Sequence, residues 1–508
     1  MKMWRGSPQS LLLVIGIFMA LALLPVISGC SVGSSSTLSR VMRAVGDHLQ
    51  PLPENAQREF DRFGQVFSKY AKDDGEADDR LEYFGFAFKR IRTSYVHDVD
   101  DKTVIDAAIK GVEAKKPTPK SVLPRDLIET ALDSMTASLD PHSGYLNGQE
   151  FKESFAHTKG EFGGLGIEVT MEDGLVKVVA PIEDTPAARV GLMSGDLIVE
   201  VDGGPIKGLT LAQAVRRMRG PPGEPIRLLI RRQEVQDFEV TIVRAVIKVR
   251  AVRWQTMGRV AYIRVSRFSE RVESGVVEAF KLIREELSGN PSGIILDLRN
   301  NPGGLLDQSI ILSDYFLNRG EVVSVRSRSA KEWRSFKATD GDLGVGLPMI
   351  VLINGGAASA SEIVASALKH HGRATVMGSR SFGKGSVQTI IPMPVEGALR
   401  LTTALYYGPD GKTIQARGIV PNIIIETEKK KAGRKREADL PGAIAAQNKG
   451  IEQRHAFKVP EASCPKADSP RRTGRKPVDD RVLGCALAFL KAGSQKKFLA
   501  AYGTSKQM

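Results

Sequence analysis

Residues 349–372 read MIVLINGGAASASEIVASALKHHG, and the order of elements in this segment indicates the fold class. It opens with an apolar run that ends near Asn354 and has the length of a buried strand. A Gly-Gly turn follows, and then apolar residues recur at helical spacing. A strand that passes through a glycine turn into a helix is a building unit of layered α/β proteins. The stretch therefore predicts such a unit, with Ser359 at the carboxyl end of the strand and the start of the helix.

Ser359 has two interpretations at this position. Free backbone N–H groups and the positive end of the helix dipole can stabilise a developing oxyanion, which favours a nucleophile. A serine at a helix start is also a common N-cap. The nearest histidines, His370 and His371, lie on the same helix, and eleven residues place His370 about 16 Å from Ser359 along the axis. Neither histidine is therefore expected to act as a base for Ser359.

A better base lies in residues 381–388, which read SFGKGSVQ. Glycines flank Lys384, so its segment can approach neighbouring backbone closely. If the segment is extended, Lys384 and Gln388 point to the same face, because strand side chains alternate. A lysine acts as a base only when neutral, which requires burial to lower its pKa from about 10.4 toward the working pH.

The rest of the chain divides into regions of different periodicity. Strands and helices alternate between about residues 246 and 425, which predicts a layered α/β domain. Residues 156–245 contain short strands between Gly, Pro and Asp turns and predict a small β-rich domain. Residues 79–155 have helical spacing and predict an N-terminal helical unit. Residues 30–78 are predicted to be a linker with a short helix at most.

The N-terminus predicts export. Lys2 and Arg5 precede an uncharged apolar run from Leu11 to Ile27, which is the pattern of an export signal over residues 1–29. The run ends in Ile-Ser-Gly-Cys, which resembles a bacterial lipobox with Cys30 as the lipidated residue. Acyl chains would hold Cys30 at a membrane by burying methylenes at about 0.8 kcal/mol each. The alternatives are an ordinary cleaved signal or an uncleaved anchor helix, and all three place the protein in the bacterial periplasm or cell envelope.

The basic charge is concentrated in a tail. The chain has a net charge of +14 and a pI near 9.5, values typical of nucleic-acid-binding proteins. Residues 426–508, however, hold 19 Lys and Arg against 9 Asp and Glu, so most of the excess lies there. We expect a basic, partly disordered tail and no nucleic-acid partner, with anionic lipid or cell-wall polymer as alternatives. Cys464 and Cys485 in this tail either pair in an oxidising compartment or stay free.

Several short elements follow one another in a fixed order. LDPHSGY (residues 139–145) is followed by GGLGI (163–167) and PAARVGLMSGDLI (186–198), and then by DLRNNPGG (297–304), AASASEI (357–363) and SFGKGSVQ (381–388). Together they resemble the carboxy-terminal processing peptidases, which are tail-specific Ser/Lys proteases with a PDZ domain; the second and third elements resemble the PDZ domain and the last three the protease. The resemblance covers roughly residues 81–421 and leaves out the basic tail.

The resemblance implies a fold and an active site. The fold is a layered α/β protease core of the ClpP or crotonase-like type, with an inserted β-rich PDZ domain. Ser359 is implied as nucleophile, Lys384 as general base and then acid, and Gln388 as the group that orients Lys384. Ala360 is implied as one backbone oxyanion donor, and Gly303 or Gly304 as the other.

The resemblance also implies partners. Backbone N–H groups of Leu165, Gly166 and Ile167 would hold the carboxylate of a peptide C-terminus, while the peptide adds a strand to an open sheet edge. The expected substrates are proteins with unstructured, apolar C-terminal tails, and no metal or cofactor is expected. The sequence leaves open whether an adaptor protein or a homo-oligomer is needed.

Two other functions compete with this one. A catalytically silent PDZ scaffold would present client proteins to other envelope enzymes, but three catalytic-type residues speak against it. Acyl-group chemistry on small thioesters would use the same α/β fold. The PDZ insertion and the export signal disfavour that function, because thioester cofactors are cytoplasmic.

Overall fold

The structure is a computed structural model. It describes residues 51–159, 161–182, 185–248, 250–427, 435–446, 456–468 and 479–503. The predicted export signal and Cys30 lie outside these ranges. Among the helices that are described, none is both long enough and apolar enough to cross a membrane.

Four helices form the N-terminal helical unit. They are α1 (Glu54–Tyr70), α2 (Ala77–Ser94), α3 (Asp101–Ala114) and α4 (Pro124–Ala137). The prediction of a linker over residues 30–78 is wrong for α1, which has 17 residues. Its buried stripe includes Ala56, Phe63 and Phe67, and the Phe63 ring stacks on Phe84 of α2. These few large apolar side chains at helical spacing anchor a segment whose average composition is polar.

The chain then enters the small β-rich domain. The entering segments are β1 (Gly144–Leu146), α5 (Gly148–Lys159) and β2 (Glu161–Gly164). The domain contains β3 (Ile167–Glu172), β4 (Leu175–Pro181), α6 (Pro186–Arg189), β5 (Leu197–Val201), β6 (Gly204–Pro205), α7 (Leu211–Met218), β7 (Pro225–Arg231) and β8 (Phe238–Val243). The chain leaves through β9 (Ala245–Lys248), which pairs with β2 in an antiparallel ribbon. Both connections to the domain therefore run through one ribbon.

A seven-stranded sheet forms the core of the predicted layered α/β domain. In sheet order its strands are β10 (Val252–Met257), β11 (Val260–Val265), β12 (Gly293–Asp297), β15 (Met349–Ile353), β16 (Thr375–Gly378), β19 (Ile423–Glu426) and β20 (Phe457–Pro460). From β11 to β20 every neighbouring pair is parallel. The carboxyl ends of β12, β15 and β16 are therefore adjacent at one edge of the sheet, which is where parallel α/β sheets place their sites.

A second, antiparallel sheet lies between the core and the helical unit. Its strands are β1, β13 (Glu321–Ser327), β14 (Arg334–Lys337), β17 (Ser386–Pro392) and β18 (Ala398–Tyr407). Leu399, Leu401 and Leu405 of β18 belong to the same buried cluster as the four N-terminal helices. The helical unit is thereby fixed against the strand that pairs with β17.

Helices cover both faces of the seven-stranded sheet. One face packs on α8 (Val272–Glu286), α9 (Leu306–Asp314) and α10 (Ala360–His370). The other face packs on α11 (Arg481–Ala492) and α12 (Gln495–Tyr502). Within residues 426–508, predicted to be a basic, partly disordered tail, the structure describes β20, α11 and α12. A disulfide joins Cys464 to Cys485 within it.

Candidate active site

Ser359 lies in the turn between β15 and α10, as the sequence predicts. It is 8% exposed and has φ 55° and ψ −116°, a conformation that residues with a Cβ rarely adopt. Its carbonyl accepts hydrogen bonds from the amides of Glu362 (2.8 Å) and Ile363 (3.0 Å), which close the first turn of α10. Backbone strain of this kind concentrates at functional sites.

The turn after β12 passes directly against Ser359. A Cβ placed on Gly303, which has φ 98°, would lie 2.8 Å from the Ser359 Cβ and 3.0 Å from the Ala360 nitrogen. Only glycine permits this approach. The turn is also held by Asn301, whose carbonyl accepts from the amide of Ala358 (3.0 Å) and the hydroxyl of Ser361 (2.9 Å).

The two glycines considered as oxyanion donors differ in their hydrogen bonds. The Gly303 amide donates to Asn301 Oδ1 at 2.9 Å and is therefore already engaged. Among the described residues, none accepts a hydrogen bond from the amide of Gly304 or from the amide of Ala360. This difference favours Gly304 and Ala360 over Gly303 as the pair of available donors.

Lys384 lies between β16 and β17 and is only partly exposed. Its Nζ donates to the Ser386 carbonyl at 3.2 Å and also to Gln388 Oε1. Burial lowers the pKa of Lys384 from 10.5 to about 8. Burial has this effect because it disfavours the charged ammonium. The structure brings Lys384 and Gln388 together as predicted, although Lys384 lies just before β17 and the pairing register of β17 shifts between Val387 and Gln388.

Glu362 joins the Ser359 turn to the Lys384 segment, and the sequence analysis did not identify it. Its Oε2 accepts from the amides of Ser359 (2.8 Å) and Lys384 (2.9 Å). Its Oε1 accepts from the Ser381 hydroxyl (2.5 Å) and the Gly383 amide (2.7 Å). Burial raises the pKa of Glu362 to about 7, and the four donated hydrogen bonds oppose that rise. An acidic residue in the first turn of an otherwise apolar helix was the available signal.

The LDPHSGY element is the start of a hydrogen-bonded chain that ends at Lys384. Asp140, which is 2% exposed, accepts from the Ser143 hydroxyl (2.6 Å) and from Thr402 Oγ1 (3.1 Å). Gln388 Nε2 donates to Thr402 Oγ1 at 3.2 Å, while Gln388 Oε1 accepts from Lys384. Asp140 and Thr402 therefore orient the amide that holds the lysine, a role that their sequence positions did not reveal.

The three residues predicted to bind peptide differ in burial and position within the β-rich domain. Leu165 is 3% exposed and lies in the domain core, and its carbonyl accepts from the Ala187 amide at 2.9 Å. Gly166 has φ 82°, and a Cβ there would collide with Thr185 at 2.2 Å. Ile167 is only partly buried and begins β3, which stands at the end of its sheet in the described part of the chain. An open strand edge of this kind can pair with an added peptide.

Comparison with known proteins identifies the two domains. The peptidase family S41 model matches residues 259–425, and a PDZ domain model matches residues 177–232. The chain is 50% identical over 349 residues to the carboxy-terminal-processing protease of Bartonella bacilliformis, covering 68% of this chain and 75% of that protein. It is 31% identical over 353 residues to the carboxy-terminal processing protease CtpA of Bacillus subtilis, covering 69% and 70%.

A solved structure titled photosystem II D1 C-terminal processing protease aligns at 24% identity and a TM-score of 0.44, covering 68% of this chain and 93% of that one. The two sequence relatives suffice: the chain belongs to the carboxy-terminal-processing proteases of peptidase family S41, which makes it a serine-type peptidase with a PDZ domain.

Proposed function

We propose that the protein is an exported endopeptidase that cleaves envelope proteins carrying unstructured, apolar C-terminal tails, with Ser359 and Lys384 as its catalytic pair. The observation that carries the proposal is the shared oxygen of Glu362, to which the amides of both residues donate. Because the Ser359 turn and the Lys384 segment both donate to Glu362 Oε2, they hold the proposed nucleophile and the proposed base close together. Burial also keeps the lysine partly neutral near physiological pH, which a base requires.

The reaction follows from these positions. Ser359 Oγ attacks the substrate carbonyl while neutral Lys384 Nζ takes its proton, and the amides of Ala360 and Gly304 stabilise the oxyanion. The resulting ammonium of Lys384 then gives the proton to the departing amine, leaving an acyl-enzyme. Water, activated by the neutral lysine, releases the product and restores Ser359. Gln388 keeps Lys384 oriented throughout.

The catalytic pair is tested with a purified, unstructured polypeptide that ends in small apolar residues. We expect cleavage by the wild type and none by Ser359→Ala or Lys384→Arg, since a guanidinium cannot act as a base. The matched control is Lys369→Arg, because Lys369 is also a half-buried lysine with a pKa lowered by burial, at the far end of α10. Cleavage that survives Lys384→Arg would refute the Ser/Lys assignment, and a wild type that binds the polypeptide without cutting it would favour the scaffold.

We further propose that the PDZ domain captures the substrate tail and favours an active arrangement by population shift. Ile167→Lys tests this proposal better than a change at Leu165, since Leu165 belongs to the domain core. We expect Ile167→Lys to slow cleavage of the tailed polypeptide and to leave cleavage of a tailless version unchanged. Equal rates for wild type and variant on the tailed polypeptide would reject the proposal.

We propose that Cys30 carries a lipid and anchors the protein in the cell envelope. Support comes from the charged start, the apolar run and the Ile-Ser-Gly-Cys sequence before Ser31. Expressed in a bacterium, the wild type should partition with membranes and Cys30→Ala should not. A wild-type protein recovered wholly in the soluble fraction would contradict the anchor.

A further inference from the structure

We propose that Glu437, from the C-terminal region beyond the matched peptidase segment, is a positioning residue for Lys384. This inference rests on the proposed function of Lys384 as the base. Glu437 begins a short 3₁₀ turn (Glu437–Asp439), lies outside the matched residues 259–425 and is fully buried. A carboxylate is rarely buried completely unless it is paired or hydrogen-bonded, so its partners identify its role.

Glu437 holds the segment on the N-terminal side of Lys384 directly. Its own amide donates to the carbonyl of Phe382 at 3.2 Å. One residue further along, the Gly383 carbonyl accepts from the amide of Ala416 at 2.8 Å. The approach to Lys384 is therefore fixed by the backbones of two different segments.

Glu437 holds the C-terminal side of Lys384 through Gln415. Gln415 Nε2 donates to Glu437 Oε1 at 2.9 Å, and Gln415 Oε1 accepts from the Gly385 amide at 2.9 Å. The fit there is close, because a Cβ on Gly385 would lie 2.2 Å from the Gln415 nitrogen. Removing the carboxylate would therefore release the side chain that holds Gly385.

Glu437 also connects this segment to the helical unit. His142 Nε2 lies 2.8 and 3.0 Å from the two carboxylate oxygens of Glu437. A carboxylate only accepts hydrogen bonds, so this nitrogen carries the proton. His142 belongs to the same short loop as Asp140, which begins the chain that orients Gln388. The Lys384 segment is thus held from both sides by one loop.

Because Glu437 is charged, its replacement should change the pH dependence of cleavage, which loss of a purely structural residue would not do. The charged groups that act on the Lys384 ammonium are Glu437, Glu362, Asp140 and Arg400, and His142 adjoins them through Glu437. Burial is the largest influence and lowers the pKa of Lys384, and Glu437 is the strongest of the charges that oppose this lowering. Neutralising Glu437 should therefore make Lys384 lose its proton at lower pH.

The test compares Glu437→Gln with Asp439→Asn in the polypeptide cleavage assay across pH. Asp439 lies in the same 3₁₀ turn and is exposed, and its substitution removes the same charge. For Glu437→Gln we expect the acidic limb of kcat/KM to move to lower pH by roughly one unit and the plateau to fall about tenfold. For Asp439→Asn we expect a profile that superimposes on the wild type.

A Glu437→Gln profile with an unmoved limb, or with a limb at higher pH, would overturn the proposal. If circular dichroism shows that Glu437→Gln does not fold, Gln415→Met removes the bridge to Gly385 and leaves the charge in place. That variant should lower the plateau without moving the limb to lower pH, and a wild-type plateau would equally overturn the proposal. Lys384→Arg in the same assay distinguishes failure of the proposed base from failure of the proposed positioning. Activity that survives Lys384→Arg refutes the base. An inactive Lys384→Arg beside a Glu437→Gln profile with an unmoved limb refutes only the positioning role of Glu437.

Discussion

Arg299 and Asp480 form an ion pair with two hydrogen bonds, 2.9 and 2.7 Å long, between the turn that adjoins Ser359 and the N-cap of α11. The other edge of the Arg299 guanidinium contacts Asp297, which is fully buried at the end of β12. A helix from the basic tail thereby fixes Arg299, which lies at the start of the turn that passes against Ser359.

Asp480→Asn should weaken both stability and turnover. It leaves the largely buried guanidinium of Arg299 without one of its two carboxylates. Removing one partner of such a buried ion pair costs about 3 kcal/mol in unfolding free energy. We expect a loss of about that size in the urea unfolding free energy and a lower kcat. The matched control is Asp479→Asn, since Asp479 is more exposed and its ion pairs are 3.8 Å long. Equal losses in both variants would contradict a specific role for Asp480.

Cleavage should depend on pH through Lys384. Burial lowers the pKa of this lysine to about 8, and only the neutral amine acts as a base. The neutral fraction, and with it kcat/KM, should therefore fall about tenfold per pH unit on the acidic side of this value and level off above it. Initial rates on the unstructured polypeptide measure this limb, and a rate that rises as the pH falls from 8 to 6 would contradict the assignment.

Glu362→Gln should strongly lower the cleavage rate, because Glu362 links the Ser359 turn to the Lys384 segment. The carboxylate accepts four hydrogen bonds, whereas a glutamine amide would direct an NH₂ group at some of the same donors. Each buried donor left unpaired costs about 1–3 kcal/mol. We expect a lower melting temperature and a loss of activity of about 10²-fold or more. Near wild-type kcat with full stability would show that Glu362 does not hold the site.

Ser359→Gly should make the inactive protein more stable than Ser359→Ala. Ser359 has a positive φ, where a Cβ is strained and glycine is not. Relief of that strain should favour the glycine variant by about 1 kcal/mol, although the flexibility of glycine in the unfolded chain offsets part of it. Urea unfolding of the two variants measures the difference, and an alanine variant that is the more stable would indicate that the turn is relaxed.

Removing the disulfide should destabilise the C-terminal helices. Cys464 and Cys485 are separated by 21 residues, and closing a loop of that size is worth about 3 kcal/mol. The double variant Cys464→Ser and Cys485→Ser should unfold at lower urea concentration than the oxidised wild type. Reductant should shift the wild type to the same midpoint and leave the double variant unchanged. A reductant effect of equal size on both proteins would contradict the bond as its cause.

Much of the core was predictable from local pattern. The strand, glycine turn and helix around Ser359 follow from a short apolar run, a Gly-Gly pair and apolar residues at helical spacing. Strand alternation predicted that Lys384 and Gln388 share a face, and they are in contact, although a register shift at Val387 and Gln388 interrupts that alternation. Local rules succeed where one element determines the geometry.

The missed residues act over long sequence distances. Glu437 contacts His142 across 295 residues, and Asp480 contacts Arg299 across 181. Their setting in a basic, polar tail gave no sign of burial, because burial there depends on partners elsewhere in the chain. The same reason explains the linker prediction that α1 corrects, since its few phenylalanines are buried by helices that follow it. The predicted export signal and Cys30 lie outside the described residues and stay predictions.

The position of Glu437 and Asp480 late in the chain has a consequence for timing. A ribosome works from the N-terminus, so Ser359 and Lys384 are made before either carboxylate that steadies their surroundings. A nascent chain that has reached only Glu426 would carry Ser359 and Lys384 on loops that lack the contacts of these two carboxylates. Biosynthesis itself would then delay the appearance of a competent protease until the last helices emerge.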